Sequence, residues 1–151
     1  MNRISLVVVT AVAVAVLAGG CATVKPKPQT FVLAGDVSTP ASFTYVAPGD
    51  TGHVIGHQCA SATNFEDIAV AAEVDVSDAG GKTIGLTTLQ AGVLVAGDDP
   101  TTIIGATCVY KFSVKVPASS AFYGVHVGNV ARGVVKYDRA KAKSGVSITV
   151  G

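Results

Sequence analysis

Apolar and polar residues alternate along much of this chain, most sharply over residues 108–116. There Cys108, Tyr110, Phe112, Val114 and Val116 share one face, while Val109, Lys111, Ser113 and Lys115 share the other. A strand with one buried and one wet face requires that period of two, and Pro117 ends it. Residues 69–76 repeat the pattern, with Val70, Ala72, Val74 and Val76 on one side and Ala71, Glu73 and Asp75 on the other. The link Ser77-Asp78-Ala79-Gly80-Gly81 supplies the turn chemistry of a hairpin, and a second β-type run follows over 82–89. Cys59 and Cys108 flank this hairpin, so a disulfide between them is expected to staple it into a sandwich.

The remaining runs are short. Residues 31–35 and 42–46 read as two strands separated by 36–41, with Pro40 as a breaker. A long loop opens at Ala47-Pro48-Gly49-Asp50 and carries His53, His57 and Cys59. The run 93–96 stops at Gly97-Asp98-Asp99-Pro100. Residues 122–127 and 133–137 form a further pair, 138–144 fit one helical turn, and 146–150 close the chain as a strand. No helical period runs long enough to compete, and no internal repeat is present. Seven to nine short strands predict an all-β fold: a single antiparallel two-sheet sandwich, Ig-like or transthyretin-like, over residues 30–151.

Ahead of that domain lies a different kind of sequence. Arg3 precedes a continuous apolar stretch over 6–17, the layout of a secretory signal. The stretch is short for a membrane-spanning helix, which needs about 20 residues. Leu17-Ala18-Gly19-Gly20-Cys21 resembles the lipobox of bacterial lipoproteins. That resemblance implies cleavage after residue 20, diacylglycerol on the Cys21 thiol, and a protein held by lipid at the outer face of the cytoplasmic membrane. The alternative is an ordinary signal peptide with Cys21 incidental. Residues 21–29, with Lys25-Pro26-Lys27-Pro28, read as a stiff, solvated tether; a disordered tail predicts the same residues.

A wider resemblance covers most of the domain. Cys59 followed by Phe65-Glu66-Asp67-Ile68, the hairpin with Asp78-Ala79-Gly80-Gly81-Lys82, Cys108 opening a strand, Phe122-Tyr123, and Arg132-Gly133-Val134-Val135-Lys136-Tyr137 resemble small secreted actinobacterial proteins and lipoproteins of unknown role. The resemblance implies an envelope location and a sandwich fold. It brings no activity and no catalytic residues.

Composition narrows the functional classes. Removing residues 1–20 takes away Arg3 alone, leaving ten basic residues against ten acidic. A nucleic-acid binder needs a basic surface, which this balance does not supply. With Cys21 lipidated, Cys59 and Cys108 remain in an exported chain, where a staple is the expected use. No CxxC suggests redox or metal work instead. His53 and His57 lie near Cys59 and offer copper or zinc ligands, although exposed loop histidines are the simpler reading and no metal or other cofactor is expected. His126, in Gly124-Val125-His126-Val127-Gly128, reads as a strand residue. It faintly resembles the GxHxH strand of copper/zinc superoxide dismutases, a reading excluded because Gly128 stands where the second histidine would be.

No GxSxG, HExxH or phosphate-binding glycine loop appears. Glu66-Asp67 and Asp98-Asp99 are neighbours in sequence rather than dyads. Lys136, Arg139, Lys141 and Lys143 form a basic cluster, explained by a solvated turn or by an anionic surface. The expectation is a non-enzymatic envelope binding module with a membrane anchor and a protein partner. The alternative is a metal-binding lipoprotein using the His53/His57 loop.

Overall fold

The structure, a computed structural model, describes residues 27–42, 55–98 and 104–151. Among the described residues nine strands form two sheets. The five-stranded sheet has the order β2(Gln58–Ser61), β5(Gly92–Val95), β6(Thr107–Pro117), β1(Thr30–Ser42), β9(Val146–Thr149). The four-stranded sheet runs β4(Thr83–Thr88), β3(Glu73–Ser77), β7(Phe122–Val127), β8(Val135–Asp138). All pairings are antiparallel except β1–β9, which is parallel. The all-β sandwich expected from the alternation is therefore present, with one parallel pair that the alternation did not announce.

Strand β6 lies at the centre, and its pattern is why. Cys108, Tyr110, Phe112, Val114 and Val116 are all buried, while Lys111, Ser113 and Lys115 are exposed. Val74, Val76, Tyr123, Val125 and Val127 meet them from the other sheet. Burial of each such side chain is worth about 1.5–3 kcal/mol. Phe31 meets Tyr123 edge-to-face at 5.3 Å, and the Tyr123 hydroxyl donates to the Pro117 carbonyl at 2.7 Å. At the opposite seam the Tyr137 hydroxyl donates to the Ser147 carbonyl at 2.8 Å, tying β8 to β9. Burial, with help from nearby Asp36, pushes the Tyr137 hydroxyl above its usual range and keeps it a donor.

Three expectations need correction. Residues 30–42 form one strand rather than two separated by a Pro40 break. Pro40 falls between the stretch of β1 that pairs with β9 and the stretch that pairs with β2, so its missing N–H interrupts neither ladder. Its carbonyl accepts from the Ala62 amide at 2.8 Å. The second expected run, 42–46, lies beyond Ser42 outside the described residues. The hairpin strand starts at Glu73, not at residue 69, because Ala71 adopts a left-handed φ of 66° and leaves Val70 exposed. The turn itself is as expected. The Asp78 carboxylate accepts from the Gly80 and Lys82 amides, and Gly81 takes a φ of 83°.

The third correction concerns the staple. Cys59 and Cys108 are bonded, with Cα atoms 5.8 Å apart. The bond does not join the hairpin to a sheet, nor one sheet to the other. It links β2 to β6 across β5, inside the five-stranded sheet. Gly92 lies beneath it: a Cβ there would sit 2.5 Å from Cys108 Sγ and 2.7 Å from the Tyr110 ring. Any side chain at that position would displace the disulfide. The far end of β1 also pairs with β2, so β1, β6, β5 and β2 close into a ring. Inside it the Ser61 hydroxyl has one proton and gives it to the Ile68 carbonyl at 2.5 Å. It accepts from Thr39 at 2.9 Å and from Tyr110 at 3.0 Å, which satisfies all three buried hydroxyls.

Candidate functional site

The residues singled out in sequence as metal ligands do not assemble in the described structure. His53 lies outside the described residues, as does Cys21, the expected lipidation residue. His57 is exposed beside β2, and Cys59 is in the disulfide, which removes its thiolate from any donor set. Among the described residues no group of three or more histidine, cysteine, aspartate or glutamate side chains is placed to hold a metal ion.

A different group does converge, on the outer face of the four-stranded sheet. Alternation turns Asp75 and Ser77 outward from β3 and His126 outward from β7. The register sets Asp75 directly opposite His126, and Ser77 opposite Gly124, which in turn faces Lys136 on β8. Ser77 Oγ and Val134 Cγ1 close over Gly124, where a Cβ would lie 2.5 and 2.6 Å from them, and a hollow of about 310 Å³ lies beside these side chains. Asp75, Ser77, His126 and Lys136 line it together with Val130 and Val134. Such dimensions suit a small ligand, and a few convergent polar groups among apolar walls are the usual composition of a binding pocket.

Asp75 is the unusual member. One carboxylate oxygen accepts from the Thr83 hydroxyl at 3.0 Å. The other, Oδ1, is buried and accepts nothing, the one such side-chain atom among the described residues. An unpaired buried acceptor costs about 1–3 kcal/mol. His126, its cross-strand neighbour, is oriented elsewhere: Nε2–H donates to the Asn129 carbonyl at 3.1 Å, leaving Nδ1 as an acceptor. The polar groups around the hollow are thus the carboxylates of Asp75 and Asp78, the Ser77 hydroxyl, the His126 ring and the Lys136 ammonium.

A clamp holds the wall of the hollow. Asn129 to Arg132 form a 3-10 turn that carries Val130, 87% exposed, beside His126. Arg132 grips Asp67 through Nε and Nη2 at 2.7 and 2.6 Å, and its Nη2 also donates to the Asn64 carbonyl. The Asn129 amide donates to the same carboxylate at 2.7 Å, while the Phe65 ring lies 5.2 Å from the guanidinium. The paired Arg132 side chain holds the Asp67 carboxyl down at about 2, with desolvation opposing and the Asn129 amide assisting. Asp67 raises Arg132 reciprocally. Gly128 is part of the device: it takes a φ of 74°, and a Cβ there would collide with the Asp67 carboxylate.

Sequence reasoning passed over all of this. Glu66-Asp67 read as sequence neighbours that form no dyad, and Asp67 and Arg132 stand 65 positions apart with no shared periodicity. The available signal was Phe65 and Asp67 in one of the stretches quoted above and Arg132 at the start of another. Two other depressions, of about 300 Å³ beside the β3–β4 turn and 220 Å³ near the β8–β9 seam, hold no unpaired buried side-chain atom. No protein-family model, curated protein or solved structure matches the chain. The site and the sandwich define an all-β domain with a hollow of mostly apolar walls and a few polar groups on one sheet.

Proposed function

We propose that this chain is a lipid-anchored, non-catalytic binding module of the cell envelope, and that the hollow on the four-stranded sheet receives its ligand. One observation carries the binding reading: Asp75, whose Oδ1 is a buried acceptor with no donor, lines a walled cavity. A ligand amine or hydroxyl that displaces a neighbouring side chain would complete it, with Val130 and Val134 covering an apolar face. The anchored, exported location is supported by the lipobox-like run ending at Cys21 and by a core disulfide, a bond that persists in oxidising compartments. The metal alternative is weakened because the disulfide takes Cys59 out of the donor set beside His57.

Two measurements test the two halves. Cys21→Ala should move the protein out of the detergent phase on phase partitioning, since stable anchoring needs acyl chains rather than two tether lysines. Equal partitioning of variant and wild type removes the anchor. For the hollow, millimolar ethanolamine or glucosamine should raise the melting temperature of the wild type and not of Asp75→Asn. An identical response from both proteins, or none from the wild type, removes the hollow as the site.

A further inference from the structure

The chain has nearly balanced charge as a whole, but the fold does not distribute that charge evenly. The strand directions define two ends. At the first, β1 begins, β6 ends at Pro117, the β3–β4 turn closes, and the helix α1(Arg139–Ser144) joins β8 to β9. The Ala79 amide donates to the Ser120 hydroxyl at 3.0 Å, and Arg139 Nε donates to the Ser120 carbonyl at 2.7 Å. The turn, the β6–β7 link and the helix are thereby fastened into one surface.

Lys27, Lys82, Lys115, Arg139, Lys141 and Lys143 all project from this end, and all are exposed. Two carboxylates accompany them, and both face their own backbone: Asp78 accepts the Gly80 and Lys82 amides, and Asp138 caps α1 by accepting the Lys141 amide at 2.8 Å. The opposite end reverses the sign. It carries Glu66, Glu73 and Asp98, with its one arginine, Arg132, bound to Asp67. A 13-residue β1 separates the ends by roughly 40 Å, several times the ~8–10 Å screening length at physiological salt. An anionic surface that meets the first end is not repelled by the second.

We propose that the end of the sandwich where β1 begins docks on an anionic lipid surface. The sequence immediately before β1 adds Lys25 to Lys27 and leads back to Cys21, so the basic face and the chain's entry point lie at the same end. This inference rests on the anchored reading for its geometry, because the anchor brings that end, and not the acidic one, to the membrane. Basic residues near an anionic leaflet each add attraction that decays within a screening length, and a cluster fixes orientation where a lone acyl anchor leaves the domain free to tumble.

The test uses full-length protein recovered from membranes and reconstituted into vesicles, one set of phosphatidylcholine and one with about a third phosphatidylglycerol. Hydrogen exchange is read in segments 78–83, 117–122 and 138–145. On anionic vesicles at low salt these amides should slow by roughly tenfold relative to neutral vesicles, while segments 62–70 and 128–133 should not change. About 0.5 M salt should abolish the difference. The variant Lys82→Glu/Lys115→Glu/Lys141→Glu should show none, and the corresponding triple arginine variant should restore it; unchanged exchange at 62–70 in both variants establishes that they fold. Equal exchange on the two vesicle types overturns the proposal, as does protection by soluble polyglutamate with none from anionic vesicles, which would assign the surface to an acidic protein. Flotation in the same samples keeps the two readings apart. Protein that floats with neutral vesicles but shows no lipid-dependent protection retains its anchor and loses the docking face. Protein that floats with anionic vesicles alone retains the docking face and loses the anchor.

Discussion

The two sheets share one core but leave their polar groups in different states. In the five-stranded sheet the buried hydroxyls of Thr39, Ser61 and Tyr110 satisfy one another and the Ile68 carbonyl, and a disulfide crosses β5 above a glycine that leaves room for it. In the four-stranded sheet the outward row of Asp75 and His126 keeps a carboxylate oxygen unpaired beneath a wall held by the Asp67–Arg132 clamp. The lesson concerns division of labour. A domain of this size has only about 5–15 kcal/mol of net stability, and a group costing 1–3 kcal/mol is tolerable where a second region is covalently braced. The braced sheet supplies covalent support, and the other sheet is where the proposed function puts the binding chemistry.

Breaking the brace is the largest perturbation. The bond spans a sequence separation of 49, for which the chain-entropy model gives about 4 kcal/mol. Protein purified without reductant should show no free Cys59 or Cys108 thiol under denaturing conditions, and reduction should lower stability by about 2–5 kcal/mol in urea melts. Two alkylatable thiols would return Cys59 to the candidate metal ligands and remove the contrast between the sheets. Next comes Ser61→Ala, which strands Thr39, Tyr110 and the Ile68 carbonyl at once. A loss of about 2–3 kcal/mol is expected; a loss below about 0.5 kcal/mol would mean that the ring end is wet and the network unimportant.

How much of this was legible in the sequence follows from the range of each interaction. β6 could be read residue by residue because alternation is local, and Cys108, Tyr110 and Phe112 point inward as their spacing requires. The Asp78 turn was legible for the same reason. The continuity of β1 through Pro40 was not, because a proline breaks a strand only if its N–H is needed, and which neighbour sits beside residue 40 is a property of the whole sheet. The hollow was invisible as well. Asp75 read as the wet side of a hairpin and Ser77 as the start of its turn, and only the β3–β7 register places His126 opposite Asp75 and Gly124 opposite Ser77. The cysteines were correctly paired, yet their place within one sheet depended on β5 lying between β2 and β6.

The clamp gives a pH-dependent test of the softer sheet. Asp67 is held at about 2 against an ordinary value of 3.8, so its contribution is complete above about pH 4 and fades as the pH falls through 2. Asp67 and Arg132 are partly exposed, and solvent screening reduces the worth of the pair to about 1 kcal/mol. Asp67→Asn should cost that much at neutral pH and should flatten the fall in melting temperature between pH 4 and 2. It should also release the Asn129 amide, whose exchange rate reports the turn beside the hollow directly. An unchanged acid profile would show that the turn is held by Phe65 and its own backbone instead.

The smallest expected effect has the opposite sign. Asp75→Asn keeps an oxygen for the Thr83 hydroxyl and replaces the unpaired, charged oxygen by an amide. That amide can donate to His126 Nδ1, the acceptor left free while Nε2–H holds the Asn129 carbonyl. A carboxylate with one unpaired oxygen is thereby exchanged for an amide with a candidate partner across the strand, and stability should rise by about 0.5–1 kcal/mol, or a few degrees in melting temperature. Substitutions that stabilise by removing an unsatisfied group mark positions kept for something other than folding. A loss of more than about 1 kcal/mol would mean that Asp75 Oδ1 finds a donor within the folded chain or from solvent. The hollow would then be complete without a ligand, and both sheets would be satisfied on their own.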